Sequence, residues 1–430
     1  MDYDLAVIGA GWAGFNAGLR AKELGLKVAL IEKDSLGGTC LNRGCIPTKA
    51  IIQSAKVYSL TRKSSVFGIE IQSPGINFNE IQARKDKVIG QLRQGMNFML
   101  KGIDFMNAQA ELLGPNRLRA GDKELNTKFV LVTCGSKPLE LTGLRFDHKK
   151  IVSSDDILNL KELPRTLLII GGGVIGCEFA SLFSAFGVKV SVVEKMPQLL
   201  PGEDSELARK LESIFKKKGI GVNTNTDAGN FNFDNYDLVL LCVGRTPNLT
   251  DLGLEKIGVK LEKGRVIVDD YLSTNIPGIY AAGDCTGILM LAHFAAYQGC
   301  LAAENIANPS CRKKADNIDI PNCIFTDPEI SSVGLNEEKA RTQGLDIKIN
   351  KFDFLGLGMA RIMEETEGFI KMISDKNTDQ VLGASIIGPR ATELIATLTL
   401  AVSARLKLCQ IRRTIFAHPT ISESISEALK

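Results

Sequence analysis

The chain has 430 residues, 44% of them hydrophobic and 23% charged, with a net charge of +3. That is enough for a large core in two or three domains, and the interspersed charges form no one-sign run suited to nucleic acid or a membrane surface. Ten cysteines at this length are too sparse for a disulfide scaffold.

The first apolar strand is expected at Leu5 to Ile8. No basic, apolar-cored or Arg-rich leader stands before it. The apolar runs at 166–177 and 238–243 are too short for a membrane span. The expectation is an enzyme that stays in the cytoplasm, or in an organelle matrix if a leader has been removed.

Residues 5–33 (LAVIGAGWAGFNAGLRAKELGLKVALIEK) align without a gap on residues 167–195 (LLIIGGGVIGCEFASLFSAFGVKVSVVEK). Gly9, Gly11, Gly14 and Glu32 fall on Gly171, Gly173, Gly176 and Glu194. Each copy reads as strand, glycine turn, amphipathic helix and second strand, which is a βαβ unit. The first glycine permits a tight turn, the second admits a pyrophosphate, and the third lets helix and strand pack closely. The terminal acid can take the hydroxyls of an adenosine ribose. Two such copies predict two dinucleotide sites. The first runs into a cysteine motif, so its ligand should be the redox cofactor. The second should hold an exchangeable dinucleotide, with Glu194 favouring NAD over NADP and Lys195 working against that preference.

Gly37-Gly38-Thr39-Cys40-Leu41-Asn42-Arg43-Gly44-Cys45-Ile46-Pro47 follows the first copy. Four residues between thiols allow a small ring that opens and closes reversibly. Pro47 suits the first turn of a helix, which would place Cys45 at its positive end and favour the thiolate. A metal site would need further ligands at short spacing, and no Cys/His cluster supplies them, so no metal is expected. A structural disulfide remains the alternative.

Further along, helices are expected near 48–62 and 80–101, strands near 105–111 and 129–133, and a linker through Ser136-Lys137-Pro138 to Gly143. A buried strand ends in Gly283-Asp284, and a polar stretch at 310–318 marks a boundary. Alternating strands (347–352, 369–373, 381–387) and helices (337–343, 391–406) then make an α+β terminal domain. Of three histidines, His148 lies in a charged turn and His293 heads an apolar helix. His418, before Pro419, has Glu423 within reach of a turn. A carboxylate on one imidazole nitrogen would suit a thiol-activating base, and the pattern alone leaves that role open.

The cysteine string resembles the active site of the class I pyridine nucleotide–disulfide oxidoreductases, and the likeness spans essentially the whole chain. It includes both glycine motifs, Thr274 through Ala281-Ala282-Gly283-Asp284, Val243-Gly244-Arg245-Thr246-Pro247-Asn248, and Ala417-His418-Pro419-Thr420 with Glu423. The resemblance implies FAD at Gly9, Gly11, Gly14, Glu32, Lys49, Asp284, Leu291 and Ala292. It implies NAD at Gly171, Gly173, Gly176, Glu178, Glu194 and Gly244. Cys45 would be the thiolate against the flavin and Cys40 the thiol meeting substrate. Lys49 would pair with Glu178, and Leu291-Ala292-His293 would open a helix at the flavin's pyrimidine edge. His418 and Glu423 would be the base pair, supplied across a homodimer.

The fold class implied is α/β, with two Rossmann-like domains and a C-terminal α+β dimerisation domain. The expected bounds are 1–143 with 271–315 for FAD, 144–270 for NAD, and 316–430 for the interface. Glu194, and the lack of a C-terminal cysteine pair, point within the family to oxidation of dihydrolipoamide to lipoamide with NAD. The implied partner is a lipoyl-bearing protein of a 2-oxoacid dehydrogenase or glycine cleavage complex. An NADH-dependent reductase of another disulfide, quinone or oxygen is the alternative, and a degenerate, non-catalytic flavoprotein subunit the distant one. Three departures from the family pattern stand out. Phe416 precedes Ala417-His418-Pro419 where many members have histidine, and Cys134 replaces a threonine. The connection 221–238 is short for the family's β-meander, which predicts a less covered module and weakened NAD affinity.

Overall fold

The computed structural model describes residues 1–315 and 319–430; the boundary expected at 315/316 therefore falls beside residues 316–318, outside the described residues. No helix among the described residues is long and apolar enough to cross a membrane.

The apolar run Tyr3–Ile8 becomes a central strand because both its neighbours are parallel and both its faces are covered. It lies between Val28–Glu32 and Lys123–Val132 in a seven-stranded sheet, with Ile279–Ala281 also pairing parallel to Lys123–Val132. Helix Trp12–Glu23 packs on this sheet and on helix Ala292–Ala307. A Cβ at Gly299 would stand 2.1 Å from the Ala13 carbonyl oxygen, so the two helices meet backbone to backbone only because that position is glycine.

The second repeat builds a five-stranded parallel sheet in the order Gly221–Asn223, Lys189–Val193, Thr166–Ile170, Leu238–Leu241, Ile151–Val152. After strand Gly221–Asn223 the short connection carries two single-turn 3-10 helices, Ala228–Asn230 and Phe233–Asn235, and no further strand before Leu238. The sheet face above it is still covered. Phe231, Phe233 and Tyr236 pack with Leu144 and Phe146 over Leu168, Ile170, Val193, Val239 and Leu241. Aromatic side chains thus replace extra strands as the cover.

Two expectations need correction. Ser136–Pro138 is not a free linker but a strand paired antiparallel with Arg245–Pro247. Packing also returns the chain to the first domain earlier than residue 271: Leu252, Leu254, Val259 and Val266 pack with Ala6, Ile8 and Val130, and Leu112 N donates to Leu252 O at 2.9 Å. The apolar side chains after Arg245 complete the first core.

The last domain is a five-stranded antiparallel sheet in the order Asn322–Ile324, Glu329–Gly334, Val381–Gly388, Phe369–Asp375, Ile347–Asp353. Helix Ala391–Ser403 covers one face with Leu394, Ile395, Leu398 and Ala401. Buried Lys371 binds this domain to the second through Asp204 at 3.0 Å, while also reaching Glu337 at 2.7 Å.

Candidate active site

The two glycine turns are built alike. Gly9 and Gly171 have φ of 103° and 113°, a region that favours glycine. A Cβ at Gly14 would stand 1.8 Å from Gly9 O, and one at Gly176 would stand 1.9 Å from Gly171 O. Both helices, Trp12–Glu23 and Val174–Ala185, begin at a glycine with no side-chain cap, leaving first-turn amides free for an anion. Glu32 accepts from Ala10 N at 2.7 Å and Asp34 N at 2.9 Å. Glu194 accepts from Gly172 N at 2.6 Å and Met196 N at 2.7 Å. The likeness extends to a residue the motif does not contain. Thr133 Oγ1 donates to Gly9 O at 2.8 Å, and Cys242 Sγ occupies the corresponding place, 3.6 Å from Gly171 O.

A cavity of about 1770 Å³ runs between the turns, lined by Gly11, Cys40, Cys45, Lys49, Asp284, Leu291 and Ala292 on one side. Gly171, Gly173, Glu178, Glu194 and Gly244 line the other. It is larger than the hundreds of Å³ of an ordinary ligand pocket, as two dinucleotides require. A cleft of about 250 Å³ continues past Gly9 and Glu32. Gly14 and Gly176 line neither and act by packing. The residues fit both cofactors: nothing lies within 4 Å of where a Cβ of Gly173 would stand, free amides face the cavity, and each far end carries a fixed carboxylate. Burial raises the Asp284 carboxyl, while Ser136 Oγ, donating at 2.6 Å, and Arg245 oppose this.

Cys40 sits on the short helix Gly38–Arg43, and Cys45 opens helix Cys45–Arg62 with Pro47 in its first turn. Both thiols are half-buried, and neither is in a disulfide. Asn42 holds the loop between them, donating to Gly38 O at 2.8 Å and Leu36 O at 3.0 Å while Arg93 donates to its carbonyl. The Cys45 thiol is lowered to about 7 by its hydrogen bond to Cys40 and by the Lys49 charge. Cys40 moves the other way, raised by that same hydrogen bond and by burial. Lys49 Nζ lies 2.8 Å from both Glu178 oxygens and 4.6 Å from the Phe325 ring centroid, so side chains of all three sheets' domains meet there.

His418 Nδ1 lies 2.8 Å from Glu423 Oε1, and Glu423 Oε2 accepts from Thr420 N at 2.9 Å. The Thr420 amide and His418 together hold the Glu423 carboxyl below its ordinary value. The His418 side chain is 78% exposed and does not line the cavity of its own chain. His148 is also exposed, bound to Asp156 at 3.0 Å, whereas His293 reaches Pro321 O at 2.9 Å on the cavity wall. No metal-ligating cluster occurs among the described residues. Sequence reasoning missed Trp12, Asn42, Arg93 and Ser136. For Trp12 a signal existed: the chain's single tryptophan lies inside a glycine motif.

Residues 3–299 match the family described as pyridine nucleotide-disulphide oxidoreductase, and residues 320–429 match its dimerisation domain. The chain is 38% identical over 463 aligned positions to a dihydrolipoyl dehydrogenase of Bacillus subtilis, covering 99% of this chain and 97% of that one. It is 39% identical to a dihydrolipoyl dehydrogenase of Chlamydia trachomatis, covering 99% and 96%. Among solved structures it resembles the HOCl-induced flavoprotein disulfide reductase RclA from Escherichia coli, with a TM-score of 0.89, 29% identity and 99% of both chains covered. The chain belongs to the pyridine nucleotide-disulphide oxidoreductase family.

Proposed function

We propose that this member of the family is a dihydrolipoyl dehydrogenase, oxidising dihydrolipoamide to lipoamide with NAD through FAD and the Cys40–Cys45 pair. The observation that carries the reading is a thiol pair, one member favoured as thiolate, set in a cavity between two dinucleotide-binding turns.

The domain bounds follow the sheets: FAD at the first turn, NAD at the second, and the antiparallel domain as the dimer interface. FAD would be held by Gly9, Gly11, Gly14, Glu32, Lys49, Asp284, Leu291 and Ala292. NAD would be held by Gly171, Gly173, Gly176, Glu178, Glu194 and Gly244. Glu194, already fixed by two amides, would repel a ribose 2′-phosphate. When bound, FAD would supply the two-electron chemistry linking dithiol to nicotinamide.

The chain's own groups perform the exchange. One thiolate of dihydrolipoamide attacks Cys40 of the Cys40–Cys45 disulfide, and Cys45 leaves as a thiolate stabilised by Lys49. The substrate's second sulfur then attacks the mixed disulfide, closing lipoamide and releasing Cys40. His418 of the partner subunit accepts a substrate proton at Nε2, its Nδ1 held by the partner's Glu423. Two thiols are oxidised and one disulfide reduced, so the exchange balances. The exposure of His418, with Glu423 half-buried behind it, supports use of the pair across a dimer. The substrate in that case is a lipoyl group on another protein, of a 2-oxoacid dehydrogenase or glycine cleavage complex, and the reaction belongs to the cytoplasm.

The test is anaerobic. One equivalent of dihydrolipoamide without NAD should create two new thiols, mapped by alkylation and mass spectrometry to Cys40 and Cys45. New thiols elsewhere, or none, would exclude this relay. The likeness to a disulfide reductase supports a second reading, in which the same relay runs from NADH to another disulfide. Thiol formation with NADH but not with dihydrolipoamide would favour it.

A further inference from the structure

Trp12 is the only tryptophan of the chain and stands at the first position of the first nucleotide-binding helix. Its carbonyl accepts from Asn16 Nδ2 at 2.8 Å, so its backbone role is ordinary. Its side chain is not. The indole nitrogen is buried, and among the described residues no oxygen or nitrogen accepts its proton. A buried N–H left without an acceptor is destabilising, so such a group calls for an explanation.

The backbone supplies one. A Cβ at Gly38 would stand 2.7 Å from the Gly11 Cα, so the cysteine loop and the glycine turn touch at these two residues. That contact sets the residue after Gly11 beside the turn of helix that begins at Gly38. Trp12, Thr39, Cys40 and Cys45 all line the cavity.

We propose that Trp12 is a catalytic hydrogen-bond donor, its Nε1–H held in reserve for the thiolate that forms on Cys40. The proton shared with Cys45 and then burial disfavour that thiolate, while Trp12 and Lys49 favour it. Among the cations lining the cavity, Lys49 is already paired with Glu178, Arg43 with Asp34, and Arg245 donates to Ser136 Oγ at 2.8 Å and to Ser136 O at 2.9 Å. An indole adds what those paired cations do not, an uncommitted donor. It donates only and does not titrate, so it stabilises a negative sulfur without competing for the substrate's proton. Its effect falls on the second exchange, when Cys40 leaves the mixed disulfide, because a better stabilised thiolate leaves faster. In the reverse reaction, when Cys40 attacks, the same donor raises the fraction present as thiolate while making each thiolate a weaker nucleophile. The glycine motif would then serve chemistry as well as cofactor binding.

The proposal rests on Cys40 being the substrate-facing thiol, and its test needs neither dihydrolipoamide nor NAD. In the FAD-loaded Cys45→Ala protein, Cys40 alkylation by iodoacetamide is followed against pH by mass spectrometry, with and without Trp12→Phe. Phenylalanine keeps the ring wall and removes the donor. The profile should move to higher pH by about one unit, with alkylation at neutral pH about tenfold slower. Superimposable profiles would overturn the proposal. Should Trp12→Phe not hold FAD, the single tryptophan is its own reporter. Its emission in the Cys45→Ala protein should change with the midpoint of Cys40 alkylation, and a flat emission through that midpoint would also overturn it. A lack of dihydrolipoamide turnover in the unmodified enzyme would instead count against the substrate assignment and leave this result standing.

Discussion

The Lys49 ammonium stands 2.8 Å from both carboxylate oxygens of Glu178, tying the helix that begins at Cys45 to the helix of the second nucleotide turn. Phe325 N donates to the same carboxylate at 3.0 Å, bringing in the third domain. The redox thiol is therefore adjusted by a charge that a distant domain holds in place.

Removing that charge should be visible on Cys45. A thiol is neutral when protonated, so loss of a nearby cation disfavours its thiolate and raises its pKa from about 7. In the dithionite-reduced enzyme, Lys49→Met should move the Cys45 alkylation profile to higher pH and slow the rate at neutral pH about threefold to tenfold. A profile that stays in place would remove Lys49 from the account.

Gly14 tests the first turn. A Cβ there would stand 1.8 Å from Gly9 O and 2.5 Å from Thr133 Oγ1, neither of them the far end of a flexible chain. Gly14→Ala should purify without FAD, recognisable by loss of the flavin absorbance. Full flavin content in that variant would mean the turn relaxes.

Sharing of the active site between subunits has a clean signature. Cys45→Ser and His418→Gln homodimers should each be inactive, while their heterodimer carries one site with both groups intact. Co-expression should restore about a quarter of wild-type turnover, since half of the dimers are mixed and half their sites are whole. No recovery would place His418 in the site of its own subunit, and an active His418→Gln homodimer would place it outside catalysis.

Much of this site was legible in the sequence because its parts are local. The glycine spacing, the terminal acids Glu32 and Glu194, the Cys40–Cys45 loop and the His418–Glu423 pair each lie within one short segment. What was not legible arises from pairings distant in sequence. The approach of Gly11 to Gly38 puts Trp12 beside Cys40, and Arg93 reaches back 51 residues to Asn42. The pairing of Ser136–Pro138 with Arg245–Pro247 turned an expected linker into a strand. Length alone predicted a bare second module, because counting residues does not reveal that Phe231 and Tyr236 reach the sheet.

That aromatic cover yields a prediction of its own. Phe231→Ala should lower stability by about 1–2 kcal/mol in urea unfolding, less than a fully buried phenylalanine because the ring is only half-buried. Binding of NAD to the unmodified chain, followed by calorimetry, should be saturable but weaker than in relatives with a longer connection. An affinity equal to theirs would show that the aromatic cover replaces the missing strands completely.

The most direct measurement of the central claim is NADH formation by the purified, FAD-loaded protein with dihydrolipoamide and NAD, beside Cys45→Ser. The account predicts rapid turnover in the unmodified protein and background in the variant, with flavin content equal in both. Turnover that survives Cys45→Ser, or an unmodified protein that holds FAD but forms no NADH, would contradict it.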